Sequence, residues 1–419
     1  MKISMVSEHA SPLAALGEVD AGGQNVHVAE LSAGLARAGH EVTVYTRRDD
    51  PDQPDELTMP GGYRVIHVPA GPPRHVPKDE LLPFMGEFTR FLRERWELDR
   101  PDVVHAHFWM SGLASLMAAR PAGIPVVQTF HALGVVKRRY QGAHDTSPSE
   151  RIGLERLIGR HAARIAATCS DEVFELVRMG LPRSRMSVVP CGVDLTMFTP
   201  SGPKQPRGNR YRIVSVGRLV PRKGFDVAIA ALRSLPETEL VIVGGPREGE
   251  LAEDPEARRL LRFAAELGVD DRVRLTGRIT RTDMPSLLRS ADVVVCTPWY
   301  EPFGIVPLEA MACERPVLAS AVGGLTDTVI DEVTGLLVPP RDARAAALAL
   351  RTLCRDDARR FGFGLAGHQR VQARYSWDRI AADTEAVYRR IAPEADLGGR
   401  DGAPARADGG SVLSAGGAP

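Results

Sequence analysis

At 419 residues the chain is longer than one ordinary hydrophobic core supports, and two globular halves are expected. Its 53 Lys and Arg balance 53 Asp and Glu, which removes any strong argument for nucleic acid or an anionic membrane as the main partner and leaves function to local sites. Cys169, Cys191, Cys296, Cys313 and Cys354 are odd in number and form no C-x-x-C or C-x-x-H pair, so neither a disulfide framework nor a zinc site is suggested.

The chain opens on a strand, Ile3-Ser-Met-Val6, with no apolar run of signal-peptide length. No later run reaches the length of a membrane span, which predicts a cytoplasmic protein without an integral membrane segment. Next come a Gly22-Gly23 loop, a helix with Val28, Leu31, Leu35 and Ala38 on one face closed by Gly39, and a second strand, Glu41 to Tyr45. Asp50-Pro-Asp52 has the letters of a metal-binding D-x-D, but no hydrophobic strand leads into it and no metal is expected there. The stretch from Leu81 to Trp96 carries Phe84, Met85, Phe88, Phe91, Leu92 and Trp96 against Arg90, Arg93 and Arg95. It reads as a core-facing amphipathic helix, the alternative being a helix on a membrane surface for a lipid acceptor. Strands follow at Asp102–Ala106, Pro125–Thr129, Arg164–Ala167 and Ser187–Val189, with helical patterns between them.

The second half repeats the plan. Arg212 to Val216 reads as a strand, a loop holds Gly217 and Gly224, a helix carries Phe225, Ala228, Leu232 and Leu235, and Leu240 to Val243 forms the next strand. Further strands are expected at Arg272–Leu275, Asp292–Val295, Pro316–Leu318 and Leu336–Val338. Both halves therefore read as α/β, two doubly wound Rossmann-like domains facing across a cleft. The expected division is 1–198 for the first domain, 199–210 for a turn-rich linker and 211–376 for the second. A last helix occupies 377–392, and a disordered tail without periodicity covers 393–419.

Ligands of such sheets sit at the carboxyl ends of the strands, where glycine loops leave amides free. On that ground Gly22 and Gly23 are expected to face the cleft from one side. From the other side come Arg218 and Lys223, in Gly217-Arg-Leu-Val-Pro-Arg-Lys-Gly224, fixed cations suited to a diphosphate. The chain holds only the lysines Lys2, Lys78, Lys137, Lys204 and Lys223, so an ammonium at this loop stands out among arginines. Glu301-Pro-Phe-Gly-Ile-Val-Pro-Leu-Glu309 sets two carboxylates around a Phe-Gly turn. Carboxylates at a loop-to-helix junction accept paired sugar hydroxyls. Of the two histidine segments at strand ends, His105 reads as the partner of a loop group and His131 as the better candidate for the donor cleft.

These motifs resemble the retaining GT-B glycosyltransferases of family 4, over nearly the whole folded chain through Tyr375-Ser-Trp377. The resemblance implies that Arg218 and Lys223 bind the donor diphosphate and that Glu309 takes the ribose hydroxyls. Glu301, with the backbone of Phe303, Gly304, Ile305 and Val306, would take the donor sugar. The base would rest near Gly277-Arg278-Ile279, His131 would meet the sugar's 6-hydroxyl, and the last helix would cross back onto the first domain. Gly22-Gly-Gln-Asn25, His105-Ala-His-Phe-Trp-Met-Ser-Gly112 and the run from Val136 to Arg151 are similar to the MshA-like branch, which joins N-acetylglucosamine to inositol phosphate. Asn25, Lys78 and Arg151 then match positions that hold an acceptor phosphate, while Phe108 and Ala132 stand where that branch implies a Tyr and a Thr hydroxyl.

The function expected is retaining transfer of a sugar from a nucleoside diphosphate sugar, a UDP-sugar, to a hydroxyl of a small sugar, cyclitol or phosphorylated acceptor. No cofactor or metal is required, and a homodimer is an open assembly. The alternatives are a GDP-mannose-dependent mannosyltransferase acting on a lipid-linked acceptor and a sugar-nucleotide-binding protein without catalysis. A pyridoxal phosphate-dependent phosphorylase is the rival from another class, and beyond the linker it would have only Lys223 for its Schiff base.

Overall fold

The computed structural model describes residues 1–13 and 22–392. Asp20 and Ala21 of the first glycine loop, and the tail expected to be disordered, lie outside the described residues.

Two sheets form from runs rich in Val, Ile and Leu that are buried on both faces, as parallel strands covered by helices require. In spatial order the first sheet is β3 (Glu56–Thr58), β4 (Arg64–Val68), β2 (Glu41–Arg47), β1 (Lys2–Val6), β5 (Val103–His107), β6 (Val126–Thr129), β7 (Arg164–Ala167) and β8 (Met186–Val188). All its pairs are parallel except β3 with β4, where Leu57 faces Val65. The second sheet is wholly parallel, in the order β11 (Val273–Leu275), β10 (Thr238–Val243), β9 (Tyr211–Val216), β12 (Val293–Cys296), β13 (Val317–Ser320) and β14 (Gly335–Val338). The doubly wound α/β expectation thus holds in both halves. β3 and β4 had no counterpart in the sequence reading.

The strand order places the site. β1 lies between β2 and β5, and β9 between β10 and β12, so each sheet reverses its winding direction at its first strand. A crevice opens beyond the carboxyl end of such a strand. The loops that leave β1 and β9 are the two glycine loops.

Helix Gly23–Arg37 buries Val28, Leu31 and Leu35 against the first sheet. The segment Leu81 to Trp96 is also core-facing: helix Met85–Leu98 buries Met85, Phe88, Leu92 and Trp96. Segment 199–210 carries no regular element among the described residues, and Arg289 holds it by donating to the carbonyls of Pro203 and Thr199 at 2.9 and 3.3 Å.

Helix Trp377–Arg389 follows the second sheet but packs on helix Gly23–Arg37 of the first lobe. A methyl group on Gly34 would stand 3.1 Å from Ala381 Cβ. One cluster of buried residues therefore runs from Ile3 and Leu31 through Trp377 and Tyr388 to Val294 and Leu308.

Tyr388 ends in a polar lock that fixes a tautomer. Thr129 Oγ1 donates to the Ala166 carbonyl, so it can only accept from His105 Nε2, 2.9 Å away. His105 Nδ1 is then bare and accepts the Tyr388 hydroxyl at 2.7 Å. Burial keeps this imidazole neutral, its pKa lowered to about 3. Tyr388→Phe strands that lone pair, and a loss of about 1–3 kcal/mol is expected, read as a melting temperature several degrees lower.

Candidate active site

The loop after β9 is built around Gly224, whose φ of 67° lies in the left-handed region. A Cβ there would sit 1.9 Å from the Thr297 carbonyl oxygen, so only glycine lets this loop lie against the end of β12. That approach brings the two sequence motifs together. Lys223 Nζ lies 2.5 Å from Glu301 Oε2, with the side chains 19% and 16% exposed, and the Arg222 carbonyl accepts the Trp299 N–H at 2.8 Å.

Glu301 and Glu309 are two carboxylates in opposite states. Burial alone would push the Glu301 carboxyl up, but Lys223, then Arg222 and Arg218, outweigh it and hold Glu301 below its ordinary value. Glu309, on helix Ile305–Ala312, has no such partner in contact among the described residues. Burial raises it to about 7, with Arg281 offsetting only part of the shift. Environments that drive paired carboxyls apart are a mark of functional sites, although structural pairs do the same. Burial raises the Cys296 thiol, at the end of β12, to about 12, with Lys223 opposing the shift and Glu301 and Glu309 adding to it.

This group faces the first lobe. A Cβ on Gly23 would meet Ile305 Cδ1 at 3.1 Å, so the N-terminus of helix Gly23–Arg37 abuts the Phe303 to Val306 turn across the cleft. Gly22 is the cap residue of that helix, and Asn25 closes its first turn by accepting the Gly22 N–H at 2.9 Å while donating to the Ser11 carbonyl at 2.8 Å. Gly304, at φ 87°, lets the turn pass Leu325, and Phe303 is buried against Tyr375. Arg281 bridges the lobes to Glu30 at 3.7 Å, Tyr140 stacks on Tyr300 at 5.3 Å, and Ser170 N–H donates to Asp327 at 2.6 Å. Arg278 and Ile279 follow β11 on the same side, where Arg278 N–H donates to the Pro246 carbonyl.

His131 stands beyond β6 with φ 60°, a conformation that costs a non-glycine residue energy. Its Nε2 is 3.0 Å from His107 Nδ1. Burial first, then neighbouring imidazoles, keep His131 and His107 neutral.

Of the residues expected at an acceptor phosphate, Phe108, Ala132 and Arg151 are brought together, but the guanidinium is already engaged. Arg151, 2% exposed, donates to Glu155 at 2.8 Å, to Ser147 at 3.1 Å and to the Ala132 carbonyl at 2.8 Å, and it lies 5.0 Å over the Phe108 ring. Lys78 is half-buried next to Asp79, whose carboxylate Lys137 pairs at 3.1 Å.

Arg222, Arg281 and the pair Glu8–His9 lie outside the residues expected from sequence. Glu8 is 1% exposed, accepts from the Ser111 N–H and hydroxyl, and lies 2.8 Å from His9 Nδ1. Arg222 was visible as the third cation of the glycine loop; the other two became significant only through contacts distant in sequence.

Asp50-Pro-Asp52 is an exposed turn three residues beyond the end of β2, in which Asp50 accepts the Asp52 N–H. No helix among the described residues is long and apolar enough to cross a membrane.

Comparison with known proteins agrees with this architecture. A family model described as Glycosyltransferase Family 4 matches residues 21–197, and one described as Glycosyl transferases group 1 matches residues 201–370. A D-inositol 3-phosphate glycosyltransferase of Xylanimonas cellulosilytica is 39% identical, covering 92% of this chain and 96% of that protein. One of Kineococcus radiotolerans is 36% identical over 93% and 95%. Among solved structures, sucrose-phosphate synthase from Thermosynechococcus elongatus superposes with a TM-score of 0.86 at 33% identity, covering 93% of this chain and 98% of that one. Anabaena HepE, solved with UDP and glucose, shares the fold at a TM-score of 0.70 and 19% identity, covering 93% and 100%. With both lobes matched and relatives above 30% identity along nearly its full length, the chain belongs to the GT-B glycosyltransferases of family 4 and is an enzyme of glycosyl transfer.

Proposed function

We propose that the cleft holds a UDP-sugar and transfers its glycosyl group, with retention of anomeric configuration, to a hydroxyl of a small sugar, cyclitol or phosphorylated acceptor. The observation that carries this reading is the Lys223–Glu301 pair at the mouth of the β9 loop, opposite Gly23. An arriving diphosphate brings the anion that Arg218, Arg222 and Lys223 together can neutralise, and it frees the Glu301 carboxylate for sugar hydroxyls. Glu309 takes the ribose hydroxyls, Arg278 and Ile279 border the base, and the backbone of Phe303, Gly304, Ile305 and Val306 with Glu301 lines the sugar. His131 meets its 6-hydroxyl.

In the transfer, the bond from C1 to the β-phosphate oxygen breaks as the acceptor oxygen bonds to C1 on the same face. The acceptor proton passes to the departing phosphate. Lys223 and Arg218 stabilise the charge that grows on that oxygen, and the contacts between the lobes exclude water from the reacting centre.

A second reading, in which the acceptor carries no phosphate, is favoured by the state of Arg151. Glu155 neutralises its guanidinium, and Phe108 and Ala132 contribute no hydroxyl beside it. Residues 1–198 as the acceptor side and 211–376 as the donor side complete the proposal.

The test is thermal stabilisation by UDP-glucose, UDP-N-acetylglucosamine and GDP-mannose. The best donor is then offered with inositol phosphate, free inositol, sugar phosphates and free sugars, and product anomers are read by NMR. Stabilisation by a UDP-sugar, release of UDP and an α-linked product are expected. Preference for GDP-mannose with a lipid-linked acceptor would replace this reading, and binding without UDP release would make the protein a sensor.

A further inference from the structure

At the floor of the cleft, one ring nitrogen each of His27, His107 and His131 lies within 4.8 Å of the others, and His107 Nδ1 is 3.0 Å from His131 Nε2. Their ring centroids are 5.0 to 5.5 Å apart. His27 is 1% exposed and His107 fully buried, yet among the described residues the Nε2 of each has no hydrogen-bond partner. A buried imidazole nitrogen left without a partner costs about 1–3 kcal/mol, and two side by side are unusual in a packed interior. We propose that these three histidines bind a transition-metal cation of the zinc class, and that the bound ion inhibits transfer by taking His131 from the donor.

Neutral imidazoles are what such an ion needs, and burial supplies them here. His27 Nδ1 lies 3.2 Å from Cys191 Sγ, so an Nδ1–H donated to sulfur leaves Nε2 as the bare lone pair, the outer-shell support that orients metal-binding histidines. Trp377 packs edge-on to His27 at 5.7 Å and closes the apolar back of the site. Tetrahedral zinc, with bonds of about 2.0–2.1 Å, needs ligand nitrogens about 3.4 Å apart, which short movements of the rings supply. His131 is the half-buried member on the cleft side, which gives an ion its entry and leaves a fourth position for water. The same geometry makes the ion and the donor sugar rivals for one imidazole.

The inhibitory part rests on His131 contacting the donor, and the binding part does not, so they are tested separately. Co2+ titrated into the full chain should give the d–d absorption of a tetrahedral imidazole site at one ion per chain, displaced by Zn2+. Zn2+ should raise the melting temperature reversibly to chelator, a readout that needs no variant. His27→Gln should abolish the bands and the zinc inhibition while keeping transferase activity within about twofold of wild type. In the wild type, inhibition should be overcome by excess donor. Bands absent, or unchanged in a folded His27→Gln protein, overturn the site and leave the transfer reading intact. Bands without inhibition overturn the inhibitory role and remove His131 from the donor contact.

Discussion

Lys223→Ala is expected to lower kcat by about 10²- to 10³-fold, the range for removing a group that stabilises the departing charge in a water-poor site. Lys223 is one of three cations near Glu301, and it is the one in direct contact. Arg218 and Arg222 remain to bind ground-state diphosphate, so KM for the donor should change much less than kcat. The substitution also removes the main charge that holds Glu301 below its ordinary pKa, so that carboxyl moves up toward neutrality. Its depressed value in the wild type contributes stability above the unfolded value of 4.5 that disappears as pH falls through the lower folded value. The variant should therefore lose stability near neutral pH and show an acid limb of its residual activity shifted upward. Lys223→Arg keeps the charge but not the compact ammonium, and partial recovery is expected. Stopped pre-steady-state turnover with saturating donor is the measurement. Wild-type turnover in a folded Lys223→Ala protein would show that the leaving phosphate draws its stabilisation from elsewhere.

The glycine loops, the carboxylate pair and most strands were legible because each is a local pattern: a 2- or 3.6-residue period, a turn former, a charge beside a glycine. β3 and β4 were not. β3 is three residues long and antiparallel, set between Asp- and Pro-rich turns, and its pairing with β4 depends on partners rather than on its own pattern. The histidine cluster was missed for a related reason. His107 and His131 meet because β5 and β6 align His107 with Thr129, and His27 joins them from a helix whose glycine start must first reach the cleft. His105 reads from sequence as a structural group, but its Tyr388 partner lies 283 residues away on the crossing helix. Arg151 shows the limit of carrying a role by position. The residue type was in place, but Glu155, one helical turn later, had already taken its charge. A sequence match cannot report whether a cation is already paired.

Glu309→Gln should weaken donor use and stabilise the empty protein, and the two effects separate by pH. Replacing the carboxylate proposed to accept two ribose hydroxyls removes charge-assisted bonds worth about 1.5–3 kcal/mol, so kcat/KM for the donor should fall by about 10- to 100-fold above pH 7.5. Below that pH the penalty shrinks, since the wild-type carboxyl, at about 7, is itself increasingly protonated. Stability moves the other way. A carboxyl raised from 4.5 to about 7 means that the folded chain holds a proton the unfolded chain has released. This contribution is complete below pH 4.5 and lost as pH rises through 7. At pH 8.5 the wild type carries a buried anion that only Arg281 partly offsets, and the amide does not. Given the carboxyl's place at the cleft edge, Glu309→Gln should melt later than wild type by the equivalent of roughly 1–3 kcal/mol at pH 8.5, and together with it at pH 5. Donor binding requires the ionised form, so near pH 7 it should release a fraction of a proton in the wild type and none in the variant. Calorimetry in two buffers of different ionisation enthalpy reads that difference directly. Equal proton release by both proteins would place the titrating group, and with it the ribose contact, somewhere other than Glu309.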